Sequence, residues 1–92
     1  MIPITELHSL PKISGIYKVV DANNNVLYIG QAKNIYLRWN NGHHKTSKIL
    51  AMCGTKAFIV WVQIPEWLLN RAENAAIAFD QPPLNIKTPP IV

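Results

Sequence analysis

A glutamate at the rim of an apolar helix face and an arginine just after a strand pair give this sequence its first chemical possibilities. In a helical projection Leu68, Leu69, Ala72, Ala76 and Phe79 form one apolar face, and Glu73 lies on its edge. Leu69 and Ile77 stand one turn before and after Glu73, and Glu66 and Asp80 fall on the same line. A carboxylate at such a rim is partly dehydrated, which suits it to a hard divalent cation; an ordinary boundary glutamate paired with a lysine fits the pattern too. Arg38 carries a planar fork that matches two phosphate oxygens and stays charged near neutral pH, or it is a surface arginine. Tyr17 and Tyr28 offer hydroxyls, His43 and His44 imidazoles, and Asn85 an amide. Taken singly, these also read as strand aromatics, polar loop residues and a turn terminator.

The elements that must position these groups follow from periodicity and turn chemistry. Gly15-Ile16-Tyr17-Lys18-Val19-Val20 and Val26-Leu27-Tyr28-Ile29-Gly30 alternate with period two, which predicts strands over 14–21 and 26–30. Ala22-Asn23-Asn24-Asn25 tolerates the positive φ of a tight reversal. A hairpin centred on Asn23 and Asn24 pairs Asp21 with Val26, Val19 with Tyr28 and Tyr17 with Gly30. Tyr17 and Tyr28 are then diagonal neighbours on one face, roughly 7–8 Å apart at the backbone. A slip of one residue would separate them.

Ile4 to Leu10 reads as a helical turn stopped by Pro11. Asn34 can cap a helix from Ile35 to Asn41, with Gly42 suited to its end, and Ser47 can cap a second from Lys48 to Met52, ended by Gly54. Ala57-Phe58-Ile59-Val60-Trp61-Val62-Gln63-Ile64 reads as a third strand, its near-continuous apolarity predicting a central strand covered on both faces. Pro65 and Glu66 suit the start of a helix running to Phe79 and closed by Pro82-Pro83. From Leu84 the chain reads as irregular. This order gives a small α/β layer, a sheet of about three strands packed by helices.

The chain has 92 residues, which reads as a single domain over 1–92. No run approaches the roughly 18–20 apolar residues of a membrane span. Met1-Ile2-Pro3-Ile4-Thr5-Glu6 lacks the basic-then-apolar pattern of a secretion signal, so a cytoplasmic location is expected. The one cysteine, Cys53, excludes an internal disulfide and a multi-cysteine zinc site, and reads as a small buried hydrophobe. Net charge is +4, and Lys33, Arg38, Lys45, Lys48 and Lys56 fall close together beside His43 and His44. Such a stretch suits a polyphosphate backbone; charge alone fits a solvated basic surface equally well.

Taken in order, these features resemble the GIY-YIG endonucleases over essentially the whole chain. Gly15-Ile16-Tyr17 and Tyr28-Ile29-Gly30 match the two naming motifs, and Gln31-Ala32-Lys33-Asn34-Ile35-Tyr36-Leu37-Arg38-Trp39 is similar to the helix carrying the family's arginine. Glu73 matches the metal-binding glutamate, and Pro82-Pro83-Leu84-Asn85 matches the closing proline-leucine-asparagine segment. The resemblance implies an α+β fold, a three-stranded antiparallel sheet flanked by helices. It also implies hydrolysis of DNA phosphodiesters with Mg²⁺, or Mn²⁺, held by Glu73.

In that chemistry Tyr17 is the general base, its pKa lowered by adjacent cations, and Arg38 balances charge on the phosphate. Tyr28 orients the phosphate or the water, and Asn85 holds the site by hydrogen bonds. Many members carry a histidine or tyrosine four residues after the arginine; here that position is Gly42, with His43 and His44 following. A helix stop at Gly42 can turn either histidine into the site, and His43 is the first choice. Gln31 stands where some members have lysine and can donate a hydrogen bond without acting as a base. Gln31, Lys33, His44, Lys45 and Lys48 are the expected nucleic-acid contacts. The alternative is an inactive nucleic-acid-binding module on the same scaffold, and a third is a protein-interaction domain with an incidental basic face.

Overall fold

The computed structural model describes residues 1–85. Its sheet is antiparallel in the order β1 (Ile2–Pro3), β4 (Ala57–Gln63), β2 (Gly15–Asp21), β3 (Val26–Ala32). The sheet therefore has four strands rather than the three expected. The extra one is two residues long, too short to leave a periodic trace, and pairs Ile2 with Ile59 and Pro3 with Phe58.

Around the tyrosines the hairpin keeps the expected register, with Tyr17 opposite Gly30 and Val19 opposite Tyr28. At the turn it does not: Val20, not Asp21, faces Val26, with a register shift between Val19 and Val20. The Asp21 carboxylate accepts from the Asn23 and Asn25 backbone N–H groups at 2.8 and 2.9 Å and from Asn25 Nδ2 at 3.0 Å. This side-chain turn takes Asp21 out of the pairing and lets Asn24 adopt a φ of 64°.

One face of the sheet is covered by a 3-10 segment (Ile4–Ser9) and two helices, α1 (Ile35–Asn40) and α2 (Thr46–Cys53). Asn34 caps α1, its Oδ1 accepting from Leu37 N at 3.0 Å. Ile35 and Trp39, one turn apart, point inward to join Tyr17, Val19, Ile49 and Ile59 in the larger core. Helix α2 begins earlier than expected. Ser47 lies in its first turn, and the N-cap position is Lys45, which makes no side-chain cap bond. Cys53 is half-buried and packs against this core rather than sitting inside it.

The opposite face is covered by α3 (Leu69–Asp80), which follows a 3-10 turn over Glu66–Leu68. Leu69, Ala72, Ala76 and Ile77 pack on Ile16 and Ile29. Phe79, expected on the apolar face, is 88% exposed, while the helix packs chiefly on β3 and β2 through Leu69, Ala72, Ala76 and Ile77. The same geometry corrects the reading of β4: it is central in order, yet on this side Val62 remains 55% exposed. Leu84 and Asn85 form a turn against β3. The rest of the C-terminal stretch expected to be irregular lies outside the described residues. No helix among the described residues is long and apolar enough to cross a membrane.

Candidate active site

Tyr17 reaches its position because its strand neighbour has no side chain. A Cβ on Gly30 would collide with the Tyr17 hydroxyl and ring, Cε1 standing only 2.8 Å away. The ring therefore lies across Gly30, 1% exposed, with Tyr28 on the same face at a ring separation of 6.3 Å.

Helix α1 ends at Asn40 with Asn41 as its C-cap, and Gly42 turns the chain with a φ of 88°, a conformation that favours glycine. The turn drives His43 inward, to 5% exposure, where Tyr17 Oη and His43 Nε2 lie 2.6 Å apart. Trp39 and His43 stack at 4.1 Å, and His44 continues the stack at 4.8 Å. Tyr17 and Tyr28 meet the His43 ring edge-on. His43 Nδ1 accepts from the Lys45 backbone N–H at 3.1 Å. His44 stays exposed, and its Nδ1 lies 3.2 Å from Arg38 Nη2. Arginine only donates, so His44 accepts here as a neutral ring.

Glu73 comes from the other face, on α3. Gln31 Nε2 donates to Glu73 Oε1 at 3.2 Å and to Asn70 Oδ1 at 2.6 Å. Glu66 and Asp80, on the same helix line by sequence, do not join it: Glu66 lies 4.0 Å from Lys33, and Asp80 pairs with Lys18 at 2.6 Å. Asn85 sits behind the site. Its Oδ1 accepts from Ile29 N at 2.7 Å and its Nδ2 donates to Ile29 O at 2.8 Å, fixing the strand between Tyr28 and Gly30.

Beside these groups a cleft of about 500 Å³ is lined by Gln31, Lys33, Asn34, Arg38 and Gly42, among others. Lys45 Nζ stands 5.9 Å from the Tyr28 ring centre, and Lys48 is exposed on α2.

Burial dominates the titration of the inner groups. It pushes the Tyr17 hydroxyl well above the ordinary phenol value, aided by Tyr28, while Arg38 opposes the rise. The lowering expected from adjacent cations does not prevail: in the folded chain desolvation outweighs Arg38. Tyr28 is raised by burial too, again against Arg38. Burial, then the charge of Arg38, His44 and Lys45, holds His43 down at about 3, so its ring is neutral at physiological pH. His44 is lowered by desolvation and by Arg38, Lys45 and Lys48.

Three contributors escaped sequence reasoning. Trp39 had a usable signal, its spacing of one turn from Ile35 on the inward side of α1. Asn70 had none, being an exposed polar residue whose only mark is its bond to Gln31. The Lys45 backbone N–H depends on the turn into α2 and has no signature in residue type.

A cation fits this donor set. Among the described residues no three His, Cys, Asp or Glu side chains converge, but Mg²⁺ keeps several waters and needs only one or two carboxylates. Glu73 is half-buried, with one oxygen engaged by Gln31.

Residues 13–75 match the family described as the GIY-YIG catalytic domain. Among curated proteins, the chain is 29% identical over 87 residues to UvrABC system protein C of Psychrobacter cryohalolentis. It is 33% identical over 88 residues to the protein of that name from Christiangramia forsetii. These matches take in 87% and 88% of this chain but only 14% of each relative's length. Among solved structures, it is similar to the GIY-YIG N-terminal endonuclease domain of UvrC from Thermotoga maritima bound to its catalytic divalent cation, magnesium. The TM-score is 0.71 at 19% identity, covering 89% of this chain and 93% of that one, a likeness that establishes the fold. With well over half its length matched and both tripeptides in the hairpin that defines the site, the chain belongs to the GIY-YIG catalytic domain family.

Proposed function

We propose that this chain is the single catalytic domain of a divalent-cation-dependent endonuclease that hydrolyses phosphodiester bonds in DNA in the cytoplasm. The observation that carries the reading is the Tyr17–His43 contact of 2.6 Å. It sets a hydroxyl and an imidazole together beside Arg38, with a lone carboxylate, Glu73, arriving from the opposite face. Membership of the family supports it, as does the magnesium reported for the Thermotoga maritima domain.

Hydrolysis needs an activated water, a stabilised phosphorane-like charge and a neutralised leaving 3′ oxygen. Tyr17 takes the proton of the attacking water as a phenolate, a form that burial disfavours and that the charge of Arg38 must favour. Arg38 holds the non-bridging phosphate oxygens through its fork, kept in orientation by the neutral His44 ring that accepts from it. Tyr28 orients the phosphate or the water by its hydroxyl. Glu73 would hold Mg²⁺ or Mn²⁺, which supplies charge to the phosphate and leaving oxygens. Gln31 orients the carboxylate, and Asn85 keeps Ile29, and with it Tyr28 and Gly30, in place. Lys33, Lys45 and Lys48 contact neighbouring phosphates, so affinity falls steeply with salt.

Glu73→Gln tests the reading. We expect cleavage of a plasmid with Mg²⁺ to be abolished while thermal stability and DNA affinity stay close to those of the unaltered chain. Retained cleavage, with contaminating nuclease excluded, sinks the metal assignment. The near-complete burial of Tyr17 favours a second reading, an inactive DNA-binding module. Salt-sensitive DNA binding without cleavage of single-stranded, duplex, flap or junction substrates would favour that second reading.

A further inference from the structure

The use of a buried histidine beside a tyrosine turns on which ring nitrogen carries the proton. For His43 the backbone decides. Its Nδ1 lies 3.1 Å from the Lys45 peptide nitrogen. A peptide N–H can only donate, so Nδ1 must present its lone pair. The ring lies between Trp39 and His44, with Tyr17 and Tyr28 at its edges, and Arg38 and Lys45 supply positive charge nearby. A proton on Nδ1 would meet the Lys45 N–H head-on, and an imidazolium would add charge to an already cationic, dehydrated pocket. The single ring proton therefore sits on Nε2, the atom 2.6 Å from Tyr17 Oη.

We infer that His43 is a hydrogen-bond donor to Tyr17, locked in its Nε2–H tautomer by the Lys45 backbone, and that it stabilises the Tyr17 phenolate instead of receiving its proton. The inference rests on the reading of Tyr17 as the group that handles the proton of the attacking water. Nε2 already carries hydrogen and Nδ1 is engaged, so the ring has no free site for a proton from Tyr17. The phenol hydrogen takes the in-plane position away from His43, and on ionisation it leaves to water. The charge left on Oη is then met by His43 Nε2–H and the Arg38 guanidinium, each worth more than a neutral hydrogen bond. His43 is thus a positioning residue, acting through Tyr17. The lock comes from the turn between α1 and α2: Gly42 turns the ring inward, and Lys45, at the N-cap of α2, aims its N–H back at it.

Nitrogen-15 spectra of the full chain labelled at histidine read the tautomer without any substrate. We expect a pyrrole-like Nε2 and a pyridine-like Nδ1 for His43 near neutral pH; the reverse assignment overturns the inference. Cleavage of a supercoiled plasmid with Mg²⁺ tests the consequence. The amide of His43→Gln can offer an N–H near the Nε2 position but has no basic nitrogen. We expect it to cut at least about tenfold faster than His43→Leu, the worth of one hydrogen bond to a charged group. Equal loss in both variants overturns the donor role, and a poorly folded variant leaves the nitrogen spectra of the unaltered chain to decide. A Tyr17→Phe variant that cuts normally removes the role proposed for Tyr17, while the spectra still settle the direction of the hydrogen bond.

Discussion

The two faces of the sheet contribute to the site on different terms. On one face α1, α2 and the N-terminal 3-10 segment enclose Tyr17, Trp39, His43 and Ile49 in a dry, ring-rich layer. On the other, α3 packs chiefly on β3 and β2, and the buried cluster is Ile16, Ile29 and Leu69. The hydroxyl and the inner imidazole come from the thick layer, the carboxylate from the thin one. A proton position or a tautomer must be fixed by close packing and satisfied hydrogen bonds. The carboxylate proposed to hold a hydrated cation stays partly open to water.

This contrast can be broken by substitution. Trp39→Ala removes a buried ring that stacks on His43 and meets Tyr17 edge-on at 5.3 Å. We expect a loss of about 3–5 kcal/mol in denaturant unfolding. Ile77→Ala, which trims a half-buried side chain of α3, should cost about 1 kcal/mol. Equal losses would erase the difference between the layers. Gly30→Ala comes next: it forces Tyr17 from its place across the strand, at about 1–3 kcal/mol, and should slow cleavage as strongly as Tyr17→Phe. A variant that cuts normally would show that the hydroxyl need not sit there.

The smallest effect appears only in acid. Folded His43 titrates at about 3, against 6.5 for the free ring. Between those values the unfolded chain takes up the proton and the folded chain does not. The contribution is complete above 6.5 and is lost as pH falls toward 3. One unit below the free value, stability should have dropped by about 1 kcal/mol. Melting temperatures measured from pH 7 to pH 4 should fall less steeply in His43→Gln, with the remaining slope belonging partly to His44. An unchanged slope would mean that His43 is not held neutral by its surroundings.

What could be read from the sequence follows the range of the forces involved. The pairing of Tyr17 with Gly30 and of Val19 with Tyr28 is written in period-two alternation, and the Asn34 cap in a single residue type. The bulge beside Asp21 was hidden because a carboxylate that captures two backbone N–H groups looks like any turn aspartate. Phe79 misled because a helical projection shows which residues share a face, not how much of that face meets the sheet. In the candidate site, Tyr17, Tyr28, Arg38, Glu73 and Asn85 were recognisable from motif order. The preference for His43 over His44 was not securely legible, since it depends on the backbone angle at Gly42 and on a stack with Trp39.

Among the described residues β3 is the outer strand of the sheet, and Asn85 has a second effect there. Its amide meets both Ile29 N and Ile29 O, while Leu84 N donates to Leu27 O at 3.0 Å. These are the outward-facing groups a further strand would need, and the asparagine side chain stands in for that strand at one residue. An exposed edge carrying Leu27, Tyr28 and Ile29 would be a template for a second copy of the chain to add on in register. The same amide that steadies Tyr28 and Gly30 therefore blunts sheet growth, tying the upkeep of the site to the chain's resistance to aggregation.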